Sequence, residues 1–422
     1  MFSIRFWMAA CTLLTALVSV IPAQPLNPNY VDGGAILMPA GEQAALLRKD
    51  RLWKKALQLH YNSIVMDGHV DVPSLVASDA NYKFTTRHST PPHVDLPRMF
   101  EGGLDAPFFS IYVAADYPEG RESINRAKEE IFYLRQALEP LSDQVEFARN
   151  VADIHRITRS GKKAILMGIE GGHAIAHANP ETMRYFFQEG VRYVTLTHAN
   201  TNSFADASQS PPKWGGLNDA GRNLVREMNR LGVLVDISHV ADSTFWDALE
   251  VSKAPMIASH SACRSLTANV RNMTDDMIRA LAEKGGVIMI NFMEGAVNRQ
   301  FTQEVMNEVY RRVQTEHNGN LYAMWQVMGQ VQVARGLPPG TIDDVVAHIL
   351  HAVQVAGVDH VGLGSDFDGA TMPAGLDDVT RLPFITYKLL KSGLSERDVQ
   401  KILGGNVLRL LEDAERIAAS MP

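Results

Sequence analysis

The sequence predicts an α/β protein, a (β/α)8 TIM-like barrel. Short apolar runs of strand length recur along the chain, helical patterns alternate with them, and the runs number eight. Strands that are apolar on both faces indicate a parallel sheet covered by helices, and eight such strands favour closure into a barrel. The predicted strands are residues 63–67, 107–113, 163–169, 191–197, 232–238, 255–259, 286–291 and 360–365.

An open, doubly wound sheet is the alternative arrangement of the same elements. Such a sheet is expected to carry a glycine-rich phosphate-binding turn after its first strand. This chain has Gly68, His69, Val70 and Asp71 at that point. The barrel is therefore the favoured fold.

The predicted helices have recognisable first and last residues. Asn179 followed by Pro180 is typical of an N-cap with a first-turn proline, and Gly190 ends that helix. Gly232 follows another amphipathic pattern as its stop. Further N-caps are predicted at Thr274, Thr341 and Ser395.

The composition indicates a globular protein that acts on a small molecule. The 422 residues are 46% hydrophobic and 21% charged, which is enough apolar sequence for a large core. The net charge of -7 is spread without basic runs. Nucleic acids and anionic membranes are therefore poor candidate partners.

Residues 1–23 are predicted to be a signal peptide. One positive charge, at Arg5, precedes an apolar stretch over residues 6–21. The mature chain is expected to be exported, periplasmic or secreted, without a stable membrane span. An uncleaved anchor is the alternative, and a lipoprotein cleavage site near Cys11 is disfavoured because little apolar sequence precedes it.

The remaining chain is interpreted as an arm over residues 24–55 and one barrel domain over residues 56–422. The stretch around 292–340 is long for a connection and is predicted to be a helical insertion, which covers the site, builds a subunit contact or lies outside the barrel. Loss of the signal peptide leaves Cys263 as the single cysteine, so no intrachain disulfide is expected.

Polar residues follow the predicted strands, at the rim where TIM barrels carry their active sites. Four strand ends bring histidines and three bring carboxylates, and burying so many polar groups is costly unless cations or hydrogen bonds compensate. The residues are His69, Asp71, Glu170, His198, His239, His260 and Asp366. Five other histidines are interpreted as ordinary structural or surface residues: His88, His93, His155, His317 and His351.

Imidazole and carboxylate ligands together suit zinc or a similar divalent ion. Three histidines, one aspartate and one glutamate are enough for two ions, provided that Glu170 bridges them. Two ions about 3.5–4 Å apart would hold a hydroxide between them and polarise a carbonyl, which is hydrolytic chemistry.

Six motifs, in this order, closely resemble the membrane dipeptidase, or renal dipeptidase, family of metal-dependent hydrolases. They are DGHVD, GIEGGH, THAN, RLGVLVDISHV, SHSACRSLTANVRN and GLGSDFDG. The resemblance extends from about residue 60 to about residue 410, through the GGNVLRLL segment. It implies a zinc dipeptidase.

The resemblance also implies a role for each site residue. His69 and Asp71 would bind one zinc, His239 and His260 the other, and Glu170 both. His198 would contact the scissile peptide and stabilise the oxyanion, and Asp366 would carry the proton to the leaving amine. Arg271 would bind the C-terminal carboxylate of the dipeptide substrate.

The resemblance further implies tolerance of a D-residue at the second position, opening of β-lactam rings, and a homodimer. Cobalt or manganese suit the same ligands. Two alternatives stay open: another binuclear amidohydrolase, such as a deacetylase, lactonase or phosphotriesterase, and a metal- or peptide-binding protein without turnover. The amidohydrolases usually carry His-x-His after the first strand, whereas this chain has His69 and Asp71.

Overall fold

The computed structural model describes residues 50–79, 81–318 and 323–421. The predicted signal peptide and the arm as far as residue 49 lie outside the described residues. The last residues assigned to the arm begin the first described helix, which covers residues 51–61.

Eight parallel strands form a nearly closed barrel, as predicted, with helices between them. The strands are β1 Met66–Val70, β2 Ala106–Tyr112, β3 Val145–Phe147, β4 Lys163–Glu170, β5 Val191–Thr195, β6 Leu234–Asp236, β7 Ile257–Ser261, β8 Val287–Ile290 and β9 Val361–Leu363. The strand order in the barrel is β1-β2-β4-β5-β6-β7-β8-β9, and the short strand β3 pairs with β4 outside this path.

The first and last strands of the barrel meet at the rim. Val70 forms a parallel bridge with Phe367. The N–H of Asp71 donates to the carbonyl of Phe367 at 2.9 Å, and the N–H of Asp366 donates to the carbonyl of His69 at 3.0 Å. These bonds bring the loop after β9 against the end of β1.

Helices cover the outside of the barrel and extend beyond it. They are α1 Arg51–Tyr61, α2 Val72–Ser78, α3 Leu96–Gly102, α4 Arg121–Leu138, α5 Val151–Arg159, α6 Pro180–Gln188, α7 Asp219–Leu231, α8 Asp242–Val251, α9 Asp275–Glu283, α10 Glu294–Val297, α11 Gln303–Glu316, α12 Met324–Arg335, α13 Ile342–Ala356, α14 Leu382–Lys391, α15 Glu396–Gln400 and α16 Asn406–Ser420. Within the described residues, no helix combines the length and apolar character needed to cross a bilayer.

The predicted caps are confirmed. The side chain of Asn179 accepts hydrogen bonds from the first turn of α6, and Gly232 ends α7 in the left-handed conformation, with φ of 72°. Thr274 and Ser395 likewise accept from the first turns of α9 and α15, and Thr341 caps α13.

Two predicted strands are displaced by two or three residues. The first was expected at residues 63–67 but lies at Met66–Val70, so His69 belongs to the strand rather than following it. Val65 lies just before β1 and is buried, and its carbonyl accepts from the N–H groups of Asp105 and of Ala106, the first residue of β2. His260 likewise lies within β7 and not after it.

Residues on β4 alternate between the inner and the outer face of the barrel, and this alternation points Glu170 inward. On β4, Leu166 belongs to an apolar cluster at the base of the barrel, and Ile165 and Met167 belong to the outer core beneath the helices. Glu170 shares the inward face with Leu166, four residues on. The strand therefore carries an apolar base and a charged mouth.

The predicted insertion over residues 292–340 contains α10, α11 and α12 in its described part. The predicted helix around Phe301, Val305 and Val309 is confirmed as α11 and the segment leading into it. Buried side chains of α11 and α12 form a separate apolar cluster, which includes Val305, Val309, Val327 and Val331. The insertion therefore has its own small core beside the barrel.

Candidate metal centre

Glu170 lies at the centre of the site, as the last residue of β4. One carboxylate oxygen, Oε1, lies 3.0 Å from Nε2 of His239 and 3.3 Å from Nε2 of His260. The other, Oε2, lies 3.4 Å from Nε2 of His69. The two oxygens therefore face two different groups of side chains.

The first group contains His69 and Asp71, at the end of β1. Nε2 of His69 lies 3.5 Å from Oδ2 of Asp71. The carboxylate of Asp366 belongs to the same cluster, because ligand atoms of His69, Asp71 and Asp366 all lie within 4.8 Å of one another.

The second group contains His239 and His260. Their Nε2 atoms lie 2.8 Å apart and both point at Oε1 of Glu170. His239 follows β6 with a positive φ of 67°, which is uncommon for a non-glycine residue and aims its ring into the mouth.

The donor set and spacing fit divalent metal ions. Tetrahedral ligands at the bond lengths of zinc lie about 3.3 Å from one another, and the distances within both groups are 2.8–3.5 Å. Nε2 of His69 is buried and has no hydrogen-bond partner in the described part of the chain. Buried imidazole nitrogens and carboxylate oxygens that converge in this way are typical of a metal site.

Neighbouring side chains orient two of these histidines. Nδ1 of His69 lies 2.8 Å from the hydroxyl of Tyr193. Nδ1 of His260 lies 2.8 Å from Oγ of Ser259, which donates to Asp236 at 2.7 Å. Bonds to Nδ1 leave Nε2 available as the ligand atom.

Burial and neighbouring groups together set the pKa values of the ligand residues. Burial lowers the pKa of His69, but Tyr193 and the carboxylates of Glu170 and Asp71 outweigh it and raise that pKa well above the usual value. Burial lowers the pKa of His239 and His260 well below the usual value, with the positive charge of Arg271 acting in the same direction. Burial also opposes ionisation of Glu170, but the surrounding histidines outweigh it and hold its pKa well below the usual value. Neutral imidazoles and an ionised carboxylate are the forms that bind metals.

Asp366 lies in the loop after β9. Its Oδ2 accepts a hydrogen bond from Nδ2 of Asn291 at 3.0 Å. Burial, together with the negative charges of Asp71 and Glu170, raises the pKa of Asp366 to about 6. A carboxyl group that titrates near neutrality is suited to carrying protons.

His198 lies beyond the end of β5, beside the second group. Its ring centroid is 4.5 Å from that of His239 and 4.9 Å from that of Tyr112. Burial, opposed by Glu170 and reinforced by Arg271, lowers the pKa of His198 to about 4. The ring is therefore neutral at physiological pH.

Arg271 lies in the loop after β7, and only 5% of its surface is exposed. Its Nη2 donates to the carbonyl of His260 at 3.3 Å, whereas Nε and Nη1 have no hydrogen-bond partner among the described residues. Burial lowers the pKa of Arg271 to about 10, so the group stays charged at neutral pH. Unused donors on a buried cation indicate a site for an anion.

All the residues predicted from the sequence thus lie around one barrel mouth. Four supporting residues were missed: Tyr193, Asp236, Ser259 of β7 and Asn291. Tyr193 and Asp236 lie inside strands, where alternation could have placed them on the inward face, and Asn291 directly follows β8. The prediction considered only ionisable residues after each strand.

Comparisons with known proteins give consistent results. Residues 53–422 match the family model described as membrane dipeptidase, peptidase family M19. Dipeptidase tcpJ of Claviceps purpurea is 36% identical over 84% of this chain and 78% of that protein, and dipeptidase verJ of Clonostachys rogersoniana is 33% identical over 91% and 92%. A metallopeptidase from Rhodobacter sphaeroides, solved with a phosphinate mimic of the dipeptide L-Ala-D-Ala, is 27% identical, with a TM-score of 0.69 over 83% of this chain and 99% of that one.

Proposed function

The chain belongs to the membrane dipeptidase family, peptidase family M19, and from this premise we propose that it cleaves dipeptides with a free C-terminal carboxylate at a centre of two zinc ions. Membership makes the protein a metal-dependent dipeptidase, a hydrolase. This confirms the resemblance found in the sequence and decides against a binding protein without turnover.

The ligand spacing supports two ions. His69 and Asp71 would hold one, His239 and His260 the other, and Glu170 would contribute one oxygen to each. When bound, such ions polarise the scissile carbonyl and lower the pKa of a bound water. Mixed nitrogen and oxygen ligands favour zinc, and the same set accepts cobalt or manganese.

Arg271 supports the preference for a free carboxylate. A planar guanidinium with two unused donor groups can bond both oxygens of the substrate terminus. Its burial near the metal ligands limits how far the carboxylate can lie from the scissile bond. The length of the substrate is thereby restricted to two residues.

His198 and Asp366 carry the two remaining roles in the reaction, stabilisation of the oxyanion and proton transfer. A neutral His198 can donate a hydrogen bond to the carbonyl oxygen as negative charge develops there. Asp366, ionised, accepts the proton of the attacking water and then delivers it to the leaving amine.

The observation that carries the proposal is the position of Glu170 between His69 on one side and His239 and His260 on the other. The test is a metal count per chain by mass spectrometry, combined with a screen of free and C-terminally amidated dipeptides. Two zinc ions per chain and a much lower KM for the free forms are expected. One ion per chain, or equal KM values for both forms, would contradict the proposal.

We also propose that the enzyme accepts a D-residue at the second position and opens β-lactam rings. The phosphinate mimic of L-Ala-D-Ala bound to the Rhodobacter sphaeroides relative supports the first part. The comparison is between L-Ala-L-Ala and L-Ala-D-Ala as substrates, with a penem as the third. Absence of turnover on L-Ala-D-Ala would refute the stereochemical proposal.

Export and dimerisation are further proposals, supported by the apolar residues 6–21 after Arg5 and by the family resemblance. N-terminal sequencing of the protein from cell fractions and light scattering of the purified enzyme test them. A full-length chain in the cytoplasm would contradict export, and a monomeric mass would contradict the dimer.

A further inference from the structure

The backbone of Arg271 and of the preceding Val270 is held by hydrogen bonds with three side chains. Arg271 lies in a loop over residues 262–273, here called the arginine loop, between β7 and α9. The N–H of Val270 donates to the hydroxyl of Tyr310 at 3.0 Å, and the carbonyl of Val270 accepts from Nη2 of Arg264 at 3.2 Å. The N–H of Arg271 itself donates to Oδ1 of Asn269 at 3.0 Å.

Tyr310 belongs to α11, so this bond connects the arginine loop to the insertion. Other contacts run the same way. Ala268 packs against the apolar cluster of α11 and α12, and its N–H donates to the carbonyl of Phe301 at 3.1 Å. The side chain of Asn269 donates to the carbonyl of Gly295 at 3.0 Å, and that of Asn272 to the carbonyl of Ala296 at 2.8 Å.

The guanidinium depends on this support because little holds it directly. Among the described residues, its hydrogen bonding consists of the 3.3 Å contact from Nη2 to the carbonyl of His260. The direction of the fork is therefore set mainly by the backbone from which it extends. Bidentate binding of a carboxylate tolerates only small errors in that direction.

We propose that Tyr310 is a positioning residue for substrate selection: through Val270, α11 sets Arg271 at the place where the terminal carboxylate of the dipeptide binds. The inference rests on the proposed role of Arg271. The insertion around residues 292–340 would then do more than pack outside the barrel or cover the site. It supports the residue that distinguishes a dipeptide from an amide.

The test is Tyr310→Phe, which keeps the ring in its packing and removes the acceptor of the Val270 N–H. KM for L-Ala-L-Ala is expected to rise roughly 3- to 10-fold, as for loss of one hydrogen bond. Because Arg271 binds the carboxylate equally in the ground state and in the transition state, kcat should change by less than about 2-fold. KM for L-alanyl-L-alanine amide, which lacks the carboxylate, should stay the same.

The matched control is Tyr61→Phe in α1. This variant also removes a hydrogen bond between a tyrosine hydroxyl and the backbone, here donated to the carbonyl of Glu101. It should leave both KM values unchanged even if it lowers the melting temperature. If Tyr310 had only a structural role, Tyr310→Phe would likewise leave both KM values unchanged and only lower the melting temperature. Unchanged KM for the free dipeptide in Tyr310→Phe, an equal rise for both substrates, or a fall in kcat alone would overturn the inference.

Arg271→Met separates this inference from the proposal beneath it. If that variant still prefers the free dipeptide over the amide, the carboxylate role of Arg271 is wrong. If it loses the preference while Tyr310→Phe keeps it, the role of Arg271 stands and only the inference about Tyr310 fails.

Discussion

The hydroxyl of Tyr193 lies 2.8 Å from Nδ1 of His69, so a strand residue from β5 reaches across the barrel interior to a residue of β1. Both side chains are fully buried. The bond fixes the ring of His69 with Nε2 towards Glu170, 3.4 Å away. Tyr193 is thus a buried core residue whose hydroxyl, its one polar side-chain atom, orients a ligand of the metal centre.

Tyr193→Phe should therefore weaken metal binding without unfolding the protein. Loss of such a supporting bond typically costs about 10- to 100-fold in affinity. Competition with a chromogenic chelator measures this directly, and Tyr185→Phe, on the half-buried surface of α6, is the control. Identical chelator curves for the Tyr193 variant and the unmodified protein would show that the hydroxyl does not orient His69.

Asp366→Asn should keep both metal ions while turnover falls by at least about 100-fold, because the amide cannot accept a proton. The measurement is kcat together with metal content. Since the carboxylate of Asp366 lies in the same cluster as His69 and Asp71, metal content also decides whether it is a ligand. Asp359→Asn, which breaks an exposed ion pair with Lys401, is the control. Turnover near that of the unmodified enzyme would remove the proton-carrying role, and loss of one ion would make Asp366 a ligand.

The activity should fall on the acid side of neutrality. Asp366 accepts a proton only when ionised, so kcat decreases as the pH drops through its pKa. Burial and then neighbouring carboxylates raise that pKa to about 6 in the chain alone, and bound cations would move it downwards. The profile of kcat from about pH 4.5 to about pH 8 should therefore show an apparent pKa at or below about 6. Metal content measured at each pH separates this effect from loss of ions, and a kcat that rises towards low pH would contradict it.

The barrel was predictable because its strands are buried on both faces and each appears as an apolar run. Strand boundaries were less so. Val65 is as buried as a strand residue, and its carbonyl accepts from the N–H groups of Asp105 and Ala106, yet it lies just outside β1. The apolar pattern of the sequence does not separate such a residue from a strand residue. Strand β3 was not predicted because it has only three residues, two of which are partly buried.

The ligand-type residues were predictable because histidines and carboxylates rarely end buried strands without a function. Tyr193 and Asp236 were not, because an aromatic or acidic residue inside a strand gains its role from a contact with another strand: Tyr193 with His69, and Asp236 with Ser259. The role of Arg271 was predicted from the family resemblance alone. Its loop folds back on α11, a long-range contact that leaves no local pattern in the sequence.

Gly168 should be needed for the same interaction between Tyr193 and His69. It lies on the inward face of β4, and a methyl group at this position would overlap the ring of Tyr193. Gly168→Ala must therefore displace that ring and take its hydroxyl away from Nδ1 of His69. Overpacking of this kind typically costs about 1–3 kcal/mol of stability, and metal affinity should fall as it does in Tyr193→Phe.

Denaturant unfolding and chelator competition measure the two effects separately. The control is Gly329→Ala in α12, where an added methyl meets nothing within 4 Å; it should be neutral or slightly stabilising. Because Gly168→Ala and Tyr193→Phe disturb one hydrogen bond, their effects on metal affinity should not add in the double variant. Full additivity would mean that the glycine acts on the metal centre by another route, and unchanged stability of Gly168→Ala would mean that the ring of Tyr193 has room to move.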